Sequence, residues 1–371
     1  MSQNATVNYV VRSYLPGDEE EIVQLLQLVF DGWPHFDLSC APIDHWTWKF
    51  KDNPLEKSII LLGTSDGKII GCTHTTPLTM KIGDSVFLCG NGYDLAVHPD
   101  FRRIGVAKKM NELRRELRAN AGMKLAIMVS GNPIMVKHYS KLYPRFPYTI
   151  MNFVRIQDID LHLQMNPTEN AWLKKYGFHL VKLLNKLRSA LRVSSLPEED
   201  FRISKIHSFN GNINAFWDEI KSHYAFIVER TRDYLNWRYC DPRGGNYIIK
   251  IAEADGRTLG YSVLRINRYV RSYPVGYIVD LLTLPDRLDV TDALVADAVN
   301  YFDSNCINMI RCQVVKNHPY EKLLKGCGFA KSGYGIDLFY DIYAKIGEEL
   351  NKLQTRIPDR IHFVYGDYDW I

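Results

Sequence analysis

The chain has 371 residues, 46% of them hydrophobic and 24% charged, with a formal net charge of +4. That composition excludes a disordered or fibrous protein, and the length exceeds one ordinary core and suits two domains. So small a net charge gives no argument for nucleic acid, although it leaves room for local basic patches that meet a phosphorylated ligand.

In chain order, residues 7–15 read as a strand, and Pro16-Gly17-Asp18 opens a helix whose Ile22, Leu25, Leu26, Val29 and Phe30 form one stripe. An aromatic loop, Trp33-Pro34-His35-Phe36-Asp37, precedes a short helix over 43–51 that Asn53-Pro54 ends. Strands at 58–64 and 68–81 flank the turn Ser65-Asp66-Gly67, and a second hairpin at Gly83-Asp84 leads into the central stretch. There Leu95 and Val97 alternate as on a strand, Pro99-Asp100 stops it, and a helical register starts at Gly105 with Ala107, Met110, Leu113 and Leu117 on one face. A short buried strand at 124–129 follows, and Asn132-Pro133 starts another helix.

The central stretch is therefore strand, basic turn, helix. A helix start leaves backbone N–H groups unpaired and aims a partial positive charge outward, and Gly105 and Ala107 leave it bare of bulk. Arg102 and Arg103 add full charges, so the turn can wrap a phosphate; the competing reading is an ordinary surface turn. Further on, residues 167–197 break the strand rhythm. Leu180, Leu184, Leu187 and Leu191 share a helical face, and no acid stands between Trp172 and Leu196 to balance the lysines and arginines. Such a helix either packs as a linker between lobes or lies on an anionic membrane surface.

The seven cysteines include no Cys-x-x-Cys pair, which predicts free thiols in a reducing compartment and no zinc or other metal site. The first ten residues have no signal pattern and no apolar run reaches the roughly 18 to 20 residues of a membrane span, so the expectation is cytoplasmic residence.

The stretch Leu95-Ala96-Val97-His98-Pro99, followed by Arg102-Arg103-Ile104-Gly105-Val106-Ala107, resembles motif A of the GNAT superfamily of acyl-CoA-dependent N-acyltransferases. The resemblance implies that the turn holds the pyrophosphate of coenzyme A. It also implies that backbone N–H groups near Ala96 and Val97 polarise the thioester carbonyl. Asn132 with Tyr139 seven residues later resembles motif B, in which an asparagine meets the cofactor arm and a tyrosine faces the departing sulfur. The family's following Gly-Phe is replaced here by Tyr143-Pro144-Arg145-Phe146.

After Leu196 the chain repeats itself. Trp48-Lys49-Phe50 returns as Trp237-Arg238-Tyr239, Asp66-Gly67 as Asp255-Gly256, Asp94-Leu95 as Asp280-Leu281 and Asn132 as Asn317, at offsets of 185 to 189 residues. The expected fold is α/β, a mixed central sheet flanked by helices, built twice as tandem GNAT folds. The expected division is a coenzyme A-binding catalytic lobe over 1–165, a basic linker helix over 166–198 and a second lobe over 199–371. In the second lobe Asp286-Arg287-Leu288-Asp289-Val290-Thr291 lacks the glycine and the paired arginines, and Leu324 stands where Tyr139 would recur. Its site is therefore expected to be degenerate, leaving it to wall the acceptor site.

Attack of an amine on a thioester needs a neutral nitrogen, a polarised carbonyl and a proton for the thiolate. The resemblance implies direct transfer from acyl-CoA, with Tyr139 as candidate acid; the plainer alternative is that Tyr139 packs. Candidate bases are Asp94 and His35, with His98 a third, and water with no dedicated base is the other option. The tandem layout and the tail Tyr365-Gly366-Asp367-Tyr368-Asp369 resemble bacterial sugar N-acyltransferases. That implies an acyl-CoA and a nucleotide-linked (dTDP-type) amino sugar as small-molecule partners. A peptide, an aminoacyl group or another small amine is the alternative acceptor, and a non-catalytic coenzyme A-binding or membrane scaffold is the alternative class.

Overall fold

The computed structural model describes residues 8–129, 133–166, 200–333 and 335–368. Asn132 and the basic segment over 167–197 lie outside the described residues. The chain divides into two compact units, and neither is a contiguous half.

The first unit comprises the described parts of Met1–Phe146 with Pro242–Gly245 and Leu338–Lys352. Its elements are β1 (Val10–Ser13), α1 (Glu19–Phe30), α2 (Pro42–Phe50), β2 (Ile59–Ser65), β3 (Lys68–Ile82), β4 (Ser85–Val97), α3 (Val106–Asn120), β5 (Leu125–Val129) and α4 (Pro133–Leu142). Strand β14 (Leu338–Ile342) completes a sheet of order β1-β2-β3-β4-β5-β14. Only the β4–β5 pair is parallel. The amphipathic stripe of α1 buries Ile22, Leu25 and Leu26 with Trp46 and Phe50 of α2 against Ile60 and Leu62 of β2 and Ile69 and Cys72 of β3.

On the other face α3 comes close to the strands because Gly63 and Gly71, paired across β2 and β3, carry no side chain. A Cβ on Gly63 would stand 2.6 Å from Val106 Cγ1, and one on Gly71 would stand 3.0 Å from Met110 Cε. The two glycines thus seat the first turn of α3 against the sheet, which fixes where that helix begins.

The second unit comprises the described parts of Pro147–Asp241, with Asn246–Asp337 and Leu353–Ile371. Strands β6 (Ile150–Ile156), β7 (Arg202–Ile206), β9 (Tyr247–Ala254), β10 (Arg257–Asn267), β11 (Val275–Thr283), β12 (Met309–Val315) and β13 (Ala330–Lys331) form a sheet of order β13-β6-β12-β11-β10-β9-β7. Again one pair, β11–β12, is parallel. The short strand β8 (Phe226–Val228) bridges Ile361. The fold class is the expected one, two mixed sheets flanked by helices.

The division differs from a cut at residue 165. β6 pairs with β12 from Met309↔Ile156 to Val315↔Ile150, and β14 pairs with β5 from Leu338↔Val129 to Ile342↔Leu125. Each open edge of a central strand is closed by a strand from the other half of the sequence. A ladder is satisfied by any strand with the right register, so sequence proximity does not decide which one supplies it. Among the described residues no helix is long and apolar enough to cross a membrane.

Candidate functional site

The β3–β4 ladder carries a bulge. Cys72 pairs with Ala96 and His74 with Tyr93, so Asp94 and Leu95 together oppose Thr73, and Asp94 has φ 48°. On its other side β4 touches β5 only at Gly90↔Ala126 and Asn91↔Ile127. Beyond that, Gly92 and Tyr93 have no ladder partner on β5, which is described to Val129.

His98 N–H bonds to Ile70 O on β3 at 2.9 Å. By strand alternation Ala96 also turns its N–H toward β3, and it is fully buried in the core. Leu95 and Val97 turn theirs to the open edge. The donors expected near Ala96 and Val97 therefore come from Val97 and Leu95, a distinction set by the bulge and the direction of His98.

The turn after β4 is built for an anion. His98 Nδ1 accepts the Asp100 N–H and caps a 3₁₀ turn over Pro99–Phe101, which makes it a structural residue. Arg103 has φ 66° and Gly105, the N-cap of α3, has φ 99°. That cap has no side-chain hydrogen bond. A Cβ on Gly105 would meet Tyr9 Oη at 3.1 Å and would also be strained at that φ. Leu95, Val97, Arg102, Arg103, Gly105 and Ala107 line one cleft of about 490 Å³. Val106 is 2% exposed and anchors the turn from beneath, while Ile104 lies exposed beside it. The residues present fit a diphosphate: bare amides at a helix start, two guanidinium groups and no acid lining the cleft.

Asp94 sits on the opposite face of the sheet from α3. Its carboxylate accepts from Lys49 Nζ at 3.0 Å and from Trp33 Nε1 at 3.1 Å. The Lys49 ammonium also lies over the Tyr93 ring at 4.4 Å and the Phe50 ring at 4.9 Å. Burial alone would raise the Asp94 pKa, but the charges of Lys49 and His74 and the two hydrogen bonds hold it below the usual carboxylate range. An ionised, paired carboxylate is a weak base. Trp33, and not His35, carries the 33–37 loop to Asp94; His35 is exposed in the same loop. Lys49 and Trp33 were not singled out as site residues by sequence. The return of Lys49 as Arg238 was the one available signal, a cation kept at the same step of both repeats.

Buried beside this pair, His74 accepts from Trp46 Nε1 at 3.1 Å and stacks on Phe50 at 4.2 Å. Burial pushes its pKa down to about 4, so it is neutral at pH 7.

Tyr139 lies on α4, half-buried, with its ring 5.9 Å from Phe339 and 6.0 Å from Tyr143. Its hydroxyl has no hydrogen-bond partner among the described residues. Burial raises its pKa above the ordinary phenol value, against an opposing pull from Arg114. It therefore stays protonated at neutral pH, as an acid must. Asn132, expected to accompany it, lies outside the described residues.

In the second unit the corresponding places are filled. Arg287, at the start of the helix Leu288–Ser304, is neutralised by Asp289 at 2.7 Å and Asp200 at 2.6 Å. The gap between β11 and β12 is packed by Ile361–Val364, which leaves a void of about 10 Å³. Asp280, the counterpart of Asp94, is fully buried, ion-paired with Arg230 and hydrogen-bonded by His362, Tyr239 and Tyr261. Arg230 also reaches Asp367 at 2.7 Å, and Tyr365 and Tyr368 are buried. The tail from Tyr365 to Tyr368 is thus core of the second unit. Among the described residues no cluster of metal-ligating side chains occurs.

Residues 10–150 match the family described as Acetyltransferase (GNAT) domain. No curated protein sequence matches the chain. Among solved structures, the chain is similar to a protein of unknown function from Enterococcus faecalis described as a probable N-acyltransferase. The TM-score is 0.61 at 12% identity, over 94% of this chain and 74% of that one. It is also similar to a GCN5-related N-acetyltransferase from Anabaena variabilis, with TM-score 0.60 and 10% identity over 91% and 73%. A third is Eis1 from Mycobacterium abscessus, with TM-score 0.54 and 13% identity over 91% and 74%. At these identities the likeness is one of fold, and it extends over both halves of the chain. The match to an acetyltransferase domain thus falls on the part of the chain that carries the basic turn and the cleft.

Proposed function

We propose that this chain transfers an acyl group from coenzyme A directly to a primary amine, with the turn at Arg102–Ala107 gripping the pyrophosphate. The observation that carries this reading is the bare, basic helix start that shares one cleft with Leu95 and Val97 of β4. Val97 and Leu95 N–H groups there are donors for the thioester carbonyl, polarising it as the amine attacks. Tyr139 protonates the departing thiolate. Water takes the amine proton; Asp94, already paired with Lys49, and His35 remain the side-chain alternatives.

For the acceptor, the tandem layout supports a nucleotide-linked (dTDP-type) amino-dideoxy sugar of surface polysaccharide, made in the cytoplasm. The transferred group is then acetyl or a short hydroxyacyl such as 3-hydroxybutanoyl. A peptide, an aminoacyl group or another small amine is the second reading, favoured to the extent that burial of Tyr365 and Tyr368 removes the tail from the acceptor site. A thiol-release assay of acyl-CoA donors against nucleotide amino sugars, peptides and polyamines tests both. Release with a nucleotide amino sugar alone supports the first, and release with none of them sinks catalysis in favour of a coenzyme A-binding scaffold.

A further inference from the structure

Along the same face of α3, one turn apart, Arg114 and Arg118 press against β3 and β4. Arg114 Nη1 donates to Thr73 Oγ1 at 2.6 Å, and Arg118 donates to Thr75 Oγ1 at 2.8 Å and to Tyr343 Oη at 3.0 Å. All three partners are neutral hydroxyls. Arg114 Nε and Arg118 Nη2 are buried and have no acceptor among the described residues, and Arg118 is 1% exposed. The nearby acid, Asp341, pairs with Arg115 at 3.2 Å and reaches Arg118 only through Tyr343. Two buried like charges without a counter-ion are costly, and burial together with Arg118 pushes the Arg114 pKa down to about 9. Such an arrangement persists where an anion is meant to arrive.

The place where it would arrive is also marked. A Cβ on Gly92 would stand 2.9 Å from Arg118 Nη2 and 3.5 Å from Arg114 Nη1, so the pair adjoins β4 at the residue where β4 parts from β5. Tyr139 lies near enough to feel the charge of Arg114. Arg114 is nine residues from Gly105, roughly 13 Å along α3, so the pair does not serve the phosphate held at the turn.

We infer that Arg114 and Arg118 form a receptor for a carboxylate on one of the two reactants, beside Gly92 of β4 and near Tyr139. The inference rests on the acyl-transfer reading and narrows its substrate class. The carboxylate belongs either to a dicarboxylic acyl group on the donor or to an amine acceptor that also carries an acid. Each guanidinium group carries one N–H donor with no acceptor among the described residues, and a carboxylate offers two acceptor oxygens.

The test uses the full chain. Succinate probes the free carboxylate by calorimetry, with inorganic phosphate as the comparison. Succinyl-CoA against acetyl-CoA probes the donor, and amino acids against their amides probe the acceptor. Succinate should bind wild type more tightly than phosphate does and lose about tenfold or more in affinity in Arg114→Met and Arg118→Met. One of the two arms should show a similar preference for the acid, collapsing in the same variants, and that arm identifies the source. Should Arg118→Met not fold, Arg114→Lys, which keeps the charge without the forked donor, supplies the second comparison. Tighter phosphate binding overturns the inference, and so does succinate binding unchanged in the variants. Acyl-CoA binding with no acid preference in either arm leaves the transfer reading standing and this one fallen. Succinate binding that the variants lose, with no acyl-CoA bound, does the reverse.

Discussion

The two units hold the same pair of splaying parallel strands and use the gap between them in opposite ways. In the first unit Gly92 and Tyr93 leave the β4–β5 ladder, and Leu95 and Val97 of β4 line a cleft of about 490 Å³. Between β11 and β12 the chain's own Ile361–Val364 fills the space down to about 10 Å³. The paired aspartates follow suit. Asp94 is held by one lysine and one indole, whereas Asp280 is locked by an arginine, a histidine and two tyrosines. Strands that leave a ladder must have their polar groups met by something, and the second unit meets this with its own chain while the first leaves a cleft lined by arginines.

The comparison can be broken most directly at the buried end. Asp280→Ala should cost about 3 to 5 kcal/mol in chemical denaturation, because it leaves buried Arg230 with Asp367 as its one acid and takes the acceptor from two buried tyrosyl hydroxyls. Asp94→Ala should cost far less, since Lys49 keeps its aromatic neighbours. Equal losses would mean that the two aspartates have one structural role. Next in size, Gly105→Glu should weaken coenzyme A binding by about hundredfold or more, roughly 2.7 kcal/mol, by setting a carboxylate and a strained φ where the diphosphate belongs. Calorimetry should also give one coenzyme A per chain for the wild type. A stoichiometry of two, or an affinity the glutamate leaves intact, would end the asymmetry.

His74 supplies a pH test of the first unit. Its folded pKa of about 4 lies below the unfolded value near 6.5, so the unfolded chain binds the extra proton between those limits. Stability at neutral pH should therefore fall by up to about 3 kcal/mol as pH drops from 6.5 to 4, and His74→Phe should flatten that slope. A slope unchanged in the variant would assign the loss to other groups. Tyr139→Phe should lower kcat by about hundredfold with acyl-CoA affinity held. The wild-type rate should decline only above pH 10, since the phenol is raised from its ordinary value. Equal turnover would make Tyr139 a packing residue.

Much of the first unit was legible because its signals are local. The stripe Ile22-Leu25-Leu26, the turns at Asp66-Gly67 and Gly83-Asp84, and the order strand, basic turn, Gly105, helix each specify structure within about ten residues of chain. The repeat offsets point to the tandem layout, and the acid at Asp289 that the sequence places in the second turn pairs with Arg287 there.

What the sequence did not decide is everything carried by long-range pairing. That β14 closes β5 and β6 closes β12 depends on which edge is open in three dimensions. That Lys49 and Trp33 meet Asp94, and that Arg114 and Arg118 lie together without an acid, depends on which faces of separate elements are pressed into one interior. Periodicity tells which side of an element is buried; it does not tell what stands opposite, because that contact is chosen by the packed sheet and not by neighbouring residues.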